Sequence, residues 1–215
     1  MVFLDDKKEF PSPCLAPTNK PLAIGGDLSL ERLGRAYKEG IFPWFEEGGP
    51  ILWWSPDPRC VLFPESLHVN RTLRRFARRY DVKFNSDFDD VVALCMAREK
   101  TWITTEMSQA YGNLHKAKKA FCVSVYEKEE LVGGVYGVCV GRVFCGESMF
   151  SLRPNASKVA LWALCTKYNK GLVFIDCQVP NPHLFRIGAT LISRKEYLTV
   201  LEKVRYLPCA VGEKS

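Results

Sequence analysis

The chain has 215 residues, of which 47% are hydrophobic, 12% aromatic and 25% charged, and its formal net charge is +6. That balance fits a folded domain with a sizeable core and excludes a disordered or fibrous chain. No apolar run is long enough to span a bilayer, and the charged opening "MVFLDDKKEFPSPC" lacks the apolar segment of a secretory signal, so a cytoplasmic protein is expected.

In chain order, the first part is turn-rich, with "FPSPCLAPTNKP", "IFPWFEEGGP" and "SPDPR" between short ordered pieces. One helix stands out in "GGDLSLERLGRAYKEG". Asp27 or Ser29 caps its start, Leu30, Leu33, Ala36 and Tyr37 make its apolar stripe, and Gly40 ends it. A domain boundary is placed near Pro58, giving a small amino-terminal domain over 1–57 and a larger domain over 58–215. Trp44 in its Pro-flanked loop and Trp102 in "KTWITT" suit either base stacking or core packing.

The segment "LHVNRTLRRFARRY" is the sharpest physical signal. At about 100° per residue, Leu73, Phe76, Ala77 and Tyr80 share one side of a helix, and Arg71, Arg74, Arg75, Arg78 and Arg79 share the other. Solvated helix faces usually mix signs, because like charges one turn apart cost about 0.2–0.5 kcal/mol. A stripe with no acid points to a polyanion such as nucleic acid.

Further on, "ELVGGVYGVCVGRVFCGESMF" reads as two strands joined at Gly141 and Arg142. Its glycines lie inside strands, not on a phosphate-binding turn, and are expected where a substrate or another backbone comes close to the sheet. "NASKVALWALCTKYNKG" is a helix with Asn155 as cap candidate, a face made by Leu161, Leu164, Cys165 and Tyr168, and Gly171 at its end. "LVFIDCQV" is a strand buried on both faces, in which period-two alternation sends Asp176 and Gln178 to one side and Ile175, Cys177 and Val179 to the other. A buried acid is costly unless paired, so Asp176, together with Glu147 at a strand end, marks a candidate acidic cleft. A strand at "ATLIS" and a helix at "RKEYLTVLEKVR" close an α+β layered pattern.

Nine cysteines without a C-x-x-C pair, and three scattered histidines, His68, His115 and His183, give no metal-ligand spacing. Reduced thiols acting as small hydrophobes are expected, and no metal. Serine-hydrolase chemistry lacks its "GxSxG" elbow.

The strings "GGDLSLERLGRAYKEGIFPWF", "PILWWSPDPRCVLFPESLH", "TWIT", "LVGGVYGV", "FCGESMFS", "NASKVAL" and "IDCQV" occur in order from about Phe10 to Leu201. Together they resemble the leucyl/phenylalanyl-tRNA–protein transferase family. The resemblance implies transfer of Leu, Phe or less readily Met from aminoacyl-tRNA to the amino-terminal Arg or Lys of an acceptor protein, which makes an N-degron for degradation. It also implies a small amino-terminal domain beside a GNAT-like (acetyltransferase-like) domain with a central mixed sheet, acting as a soluble monomer. The glycine of the coenzyme A turn is missing from "RPNAS", so no cofactor is expected.

Carried onto this sequence, the family pattern makes Trp44 and Trp102 the residues flanking the tRNA's 3′-adenosine, and Arg71, Arg74, Arg75, Arg78 and Arg79 the tRNA phosphate contacts. It gives an aminoacyl pocket of Val135, Phe144, Met149, Leu161, Leu164, Tyr168 and Ile175, with Asp176, Gln178 and Glu147 at the catalytic centre. Asp176 is then either the base for the attacking amine or its orienter, and Glu147 either assists or meets the acceptor's basic side chain. The chain departs from the family in "AFCVSVY", where Phe121, Cys122, Ser124 and Tyr126 stand at positions that often hold His, Ser, Glu and Trp, and in Arg186, where serine is usual. Val135 replaces a Met found in some members. Two alternatives stay beside this reading: a tRNA-binding member with altered specificity or no catalysis, which the "AFCVSVY" change supports, and a small-molecule N-acyltransferase on the same fold, against which the missing coenzyme A turn argues.

Overall fold

A computed structural model describes residues 2–5, 9–18, 20–99 and 101–211, and in it the strands form two sheets. The first is made by β1 (Val2–Leu4), β2 (Ala23–Gly25), β3 (Phe42–Pro43) and β4 (Leu52–Trp54), in the order β1-β2-β4-β3, with α1 (Leu30–Lys38) between β2 and β3. Ser29 is the cap of α1, its hydroxyl accepting from the Arg32 amide, while Asp27 accepts from the Ser29 amide one step earlier. The buried stripe of α1 is Arg32, Leu33, Ala36 and Tyr37. Leu30, expected there, is 39% exposed, because the helix turns its first residue outward and buries the Arg32 stem instead.

The second sheet follows from β5 (Arg59–Leu62), α2 (Arg71–Ala77), β6 (Asp81–Phe84), α3 (Phe88–Met96), α4 (Thr105–Lys116), β7 (Ala120–Glu127), β8 (Glu130–Val140), β9 (Val143–Ser151), α5 (Ala156–Tyr168), β10 (Phe174–Gln178), α6 (Pro182–Arg186), β11 (Thr190–Ile192) and α7 (Arg194–Val204). Its order is β11-β5-β10-β9-β8-β7-β6, with β10 parallel to β9 and antiparallel to β5. This is the mixed central sheet of an α+β protein. The β8–β9 hairpin turns at Gly141 and Arg142 as the sequence predicts, Gly141 taking a φ of +56° that L side chains rarely adopt.

Each face of the large sheet carries its own core. On one face Phe88, Met107, Tyr111, Tyr136, Phe174 and Tyr197 pack together, in a cluster that continues into Tyr37, Phe42 and Trp53 of the small sheet and α1. On the other, Leu161 and Leu164 of α5 pack against Val123, Val135, Phe144 and Ile175. The sequence expectation that strand glycines admit a close neighbour is met by protein, not ligand. A Cβ on Gly133 would lie 2.5 Å from the Ala156 side chain, so the glycine lets α5 settle onto the sheet. Asn155, the expected cap of α5, adopts φ 63° and makes no side-chain cap, and the Ser151 hydroxyl accepts from the Ser157 amide in its place. Six of the nine cysteines are buried and all are free thiols, filling core space as small hydrophobes.

Candidate active site

Two β-bulges sit side by side in the middle of the large sheet. Between β8 and β9, Gly137 pairs with Gly146 and Tyr136 with Ser148, which leaves Glu147 as the extra residue. Between β5 and β10, Val61 pairs with Asp176 and Cys60 with Gln178, which leaves Cys177 unpaired. The parallel pairing of β9 with β10 stops at Cys145 and Asp176, so the two strands part there. A cavity of about 510 Å³ fills the wedge at their carboxyl ends. Bulges re-aim side chains, and the open carboxyl end of parallel strands is a recurrent ligand position.

Glu147 is aimed by its bulge into the wall of that cavity, and its side chain is fully engaged. Tyr111 donates to Oε2 at 2.7 Å, and the Gln178 amide nitrogen donates to Oε1 at 2.8 Å. Behind it the Tyr37 and Tyr111 hydroxyls are 2.8 Å apart, so the chain of contacts runs from α1 through α4 to β9 and β10. The carboxyl is only 6% exposed. Burial pushes its pKa up to about 7; the hydrogen bonds from Tyr111 and Gln178 oppose the rise, and the negative Asp176 adds to it. A carboxylate that titrates near neutrality and faces a cavity is suited to proton exchange.

Asp176 has a different position. Its carboxylate takes a bidentate pair from Arg59, at 2.8 Å from Nε and 2.7 Å from Nη2, and also accepts from the Tyr197 hydroxyl at 2.9 Å. Arg59 is itself enclosed, between the rings of Phe42 and Tyr197, and donates to the Gly40 carbonyl. Asp176 is fully buried and is not on the cavity wall. Simple alternation put Asp176 and Gln178 on one side of the strand. The bulge separates the two: Gln178 has a φ of 62°, its N–H donates to Asp176 Oδ1 at 2.9 Å, and its side chain lines the cavity and reaches Glu147, whereas Asp176 does not line it. Asp176 therefore holds the left-handed turn that delivers Gln178 to Glu147.

Of the sequence-predicted pocket residues, Val135, Met149, Leu161 and Ile175 line the cavity. Phe144, Leu164 and Tyr168 lie in the core on the same face of the sheet and are absent from the lining. Trp44, 40% exposed and packed on Trp54, and Trp102 both line it, together with Phe42, Arg98, Asn181, His183 and Leu184, which the sequence reading did not single out. The arginine stripe lies away from the cavity, on α2 and the turn after it. The helix ends at Ala77, so Arg78 and Arg79 follow it, yet all five arginines are exposed and Leu73 and Tyr80 are buried as the amphipathic pattern requires. Arg74 lies over the Trp162 ring of α5.

The departures in "AFCVSVY" fall on β7, outside the cavity wall. Ser124 and Cys122 donate to the Ser86 carbonyl and Tyr126 to Asp87, so these residues fasten the turn between β6 and α3, where Asn85 and Asp87 are left-handed. Among the described residues no three His, Cys, Asp or Glu side chains converge as a metal ion would need, and no helix is long and apolar enough to cross a membrane.

Comparison with known proteins places this geometry. Residues 61–202 match the family model described as leucyl/phenylalanyl-tRNA protein transferase, and residues 26–57 match that of its N-terminal domain. The leucyl/phenylalanyl-tRNA–protein transferase of Hahella chejuensis is 49% identical over 209 residues, covering 93% of this chain and 89% of that one. The protein of the same name from Escherichia fergusonii is 51% identical over 203 residues, covering 91% and 87%. Among solved structures, a GCN5-related N-acetyltransferase-like protein from Streptococcus suis aligns with 76% of this chain and 64% of its own, at a TM-score of 0.38 and 9% identity.

Proposed function

Because the chain belongs to the leucyl/phenylalanyl-tRNA protein transferase family, we propose that it moves a leucyl or phenylalanyl group, and less readily a methionyl group, from aminoacyl-tRNA to the amino-terminal Arg or Lys of an acceptor protein. The product carries a new amino-terminal hydrophobic residue and serves as an N-degron.

The observation that carries the reading is the coexistence of an apolar wall and one buried carboxyl in a single cavity. Val135, Met149, Leu161 and Ile175 offer the apolar surface that a Leu or Phe side chain needs, and Glu147 stands at its edge with Gln178. Trp44 and Trp102 also line the cavity, and the terminal adenosine stacks on them, each ring worth about 1–3 kcal/mol. The arginines of α2 and the turn after it meet the tRNA phosphates.

The chemistry asks little of the enzyme beyond position and one proton acceptor. The ester is already activated, whereas the acceptor α-amine, with an ordinary pKa of about 7.7–8.0, must be unprotonated to attack. Its nitrogen adds to the ester carbonyl carbon, the bond from that carbon to the ribose oxygen breaks, and the ribose oxygen leaves with the proton relayed from nitrogen through Glu147. Glu147 accepts the proton lost by nitrogen, a role that suits a carboxyl titrating near 7. Gln178 orients the reacting groups, and Asp176 is a positioning residue that acts through Gln178.

The test is a transfer assay with labelled Leu-tRNA, Phe-tRNA or acetyl coenzyme A and peptides differing in their first residue. Transfer from aminoacyl-tRNA to peptides beginning with Arg or Lys is expected. Binding of tRNA without transfer, or dependence on coenzyme A, would replace this reading with one of its two alternatives.

A further inference from the structure

Between the cavity and the arginine stripe runs a second set of basic side chains. His183 lies on the cavity wall, and Arg186 stands one turn further along α6. On α5, Leu161 lines the cavity while Lys158 precedes it by one turn. Trp162, next along that helix and four residues from Lys158, has Arg74 of α2 over its ring at 5.6 Å. Lys158 and Arg186 both act on His183 and, with its burial, hold its imidazole below the ordinary value, so the three groups form one local field. Among the described residues, the ion pairs engage Arg32, Arg35, Arg59 and Arg153, and none joins Lys158, Arg186 or the α2 stripe. Phe185, between His183 and Arg186, is 46% exposed.

Basic side chains without acidic partners, with an exposed ring on the same helix, suit a single-stranded nucleic-acid track. We propose that Lys158, His183 and Arg186 carry the phosphates of the single-stranded 3′ end of tRNA from the mouth of the cavity to α2, with Phe185 as a stacking platform. This rests on the function proposed above and adds the route between its two ends. Arg98, also basic and on the cavity wall, donates instead to the carbonyls of Cys95 and Met149. The route over α6 and α5 is therefore the one with donors to spare. The usual serine at position 186 would leave this track one charge weaker.

The test compares two donors in Lys158→Glu/Arg186→Glu: Phe-tRNA, and phenylalanyl-adenosine, which has no phosphates. KM for Phe-tRNA is expected to rise about tenfold or more at low salt, and the log–log salt dependence to become shallower by about 1.4, the loss of two single-strand phosphate contacts. Transfer from phenylalanyl-adenosine should stay within twofold of wild type, with Lys158→Gln/Arg186→Gln showing a smaller effect of the same kind. In wild type, the imidazole titration of His183, followed by NMR, should move upward when an oligonucleotide of the tRNA 3′ end is added. An unchanged KM and salt slope, an equal fall with both donors, or a motionless His183 would each overturn the track. If wild type transfers from neither donor, it is the proposed function that has failed.

Discussion

Replacing Glu147 with Gln separates the electrostatic cost of this carboxyl from its chemical use. Its pKa stands at about 7 against an ordinary 4.5. At about 1.4 kcal/mol per tenfold, ionising it in the folded protein costs about 3 kcal/mol more than ionising it in the unfolded chain. The sign follows from the direction of the rise. Below pH 4.5 the group is neutral in both states and costs nothing; as pH climbs to about 7 the unfolded state gains by releasing the proton first, and stability is lost. Glutamine is isosteric and uncharged, and a flip of the Gln178 amide preserves its contact while Tyr111 still donates. Urea unfolding of both proteins at pH 5 and pH 8 should therefore find the variant gaining on wild type by about 2–3 kcal/mol more at the higher pH. Its transfer rate should drop by about 10²- to 10⁴-fold, and the rise in kcat near pH 7 that belongs to Glu147 should disappear. A variant with the wild-type pH–rate profile, or a stability difference that does not change with pH, would sink both the titration and the role assigned to it.

Other changes probe neighbouring parts. Asp176→Ala should abolish transfer while sparing tRNA binding, measured by filter binding, because it releases the Gln178 turn and leaves the arginine stripe untouched. Arg59→Met strands a buried carboxylate and should cost about 3–5 kcal/mol in urea unfolding, whereas Arg59→Lys, which keeps the charge but loses the bidentate fork, should cost less. Arg74→Glu with Arg78→Glu should weaken tRNA binding and flatten its salt dependence; unchanged binding would remove the stripe from the interface.

Much of this architecture can be read from periodicity alone. Leu33, Ala36 and Tyr37 of the α1 stripe, the Gly141 hairpin, the amphipathic α2 and the apolar β10 each follow from a local pattern that the fold respects. The site is harder, for reasons that particular residues make plain. Alternation along β10 does not tell Gln178, which lines the cavity, from Asp176, which does not, because a left-handed residue inside a strand has no sequence mark when it is not glycine. Arg59 sits in "SPDPR", a string that looks like a loop, and its burial is explained by partners distant in sequence, Asp176 at 117 positions first among them. Tyr37 reads as core from its helical spacing, which is where it is, and only three dimensions bring its hydroxyl and that of Tyr111, which no sequence pattern marked, together behind Glu147. The charge of Asp176 was a sound signal of a costly buried acid, but cost alone does not say which way a side chain points.

The contacts around Glu147 and Asp176 also bear on how the protein comes into being. They draw on Tyr37, Arg59, Tyr111, Gln178 and Tyr197, so the centre is stitched from segments spread over most of the chain. A nascent polypeptide on the ribosome cannot close that ring until α7 has emerged.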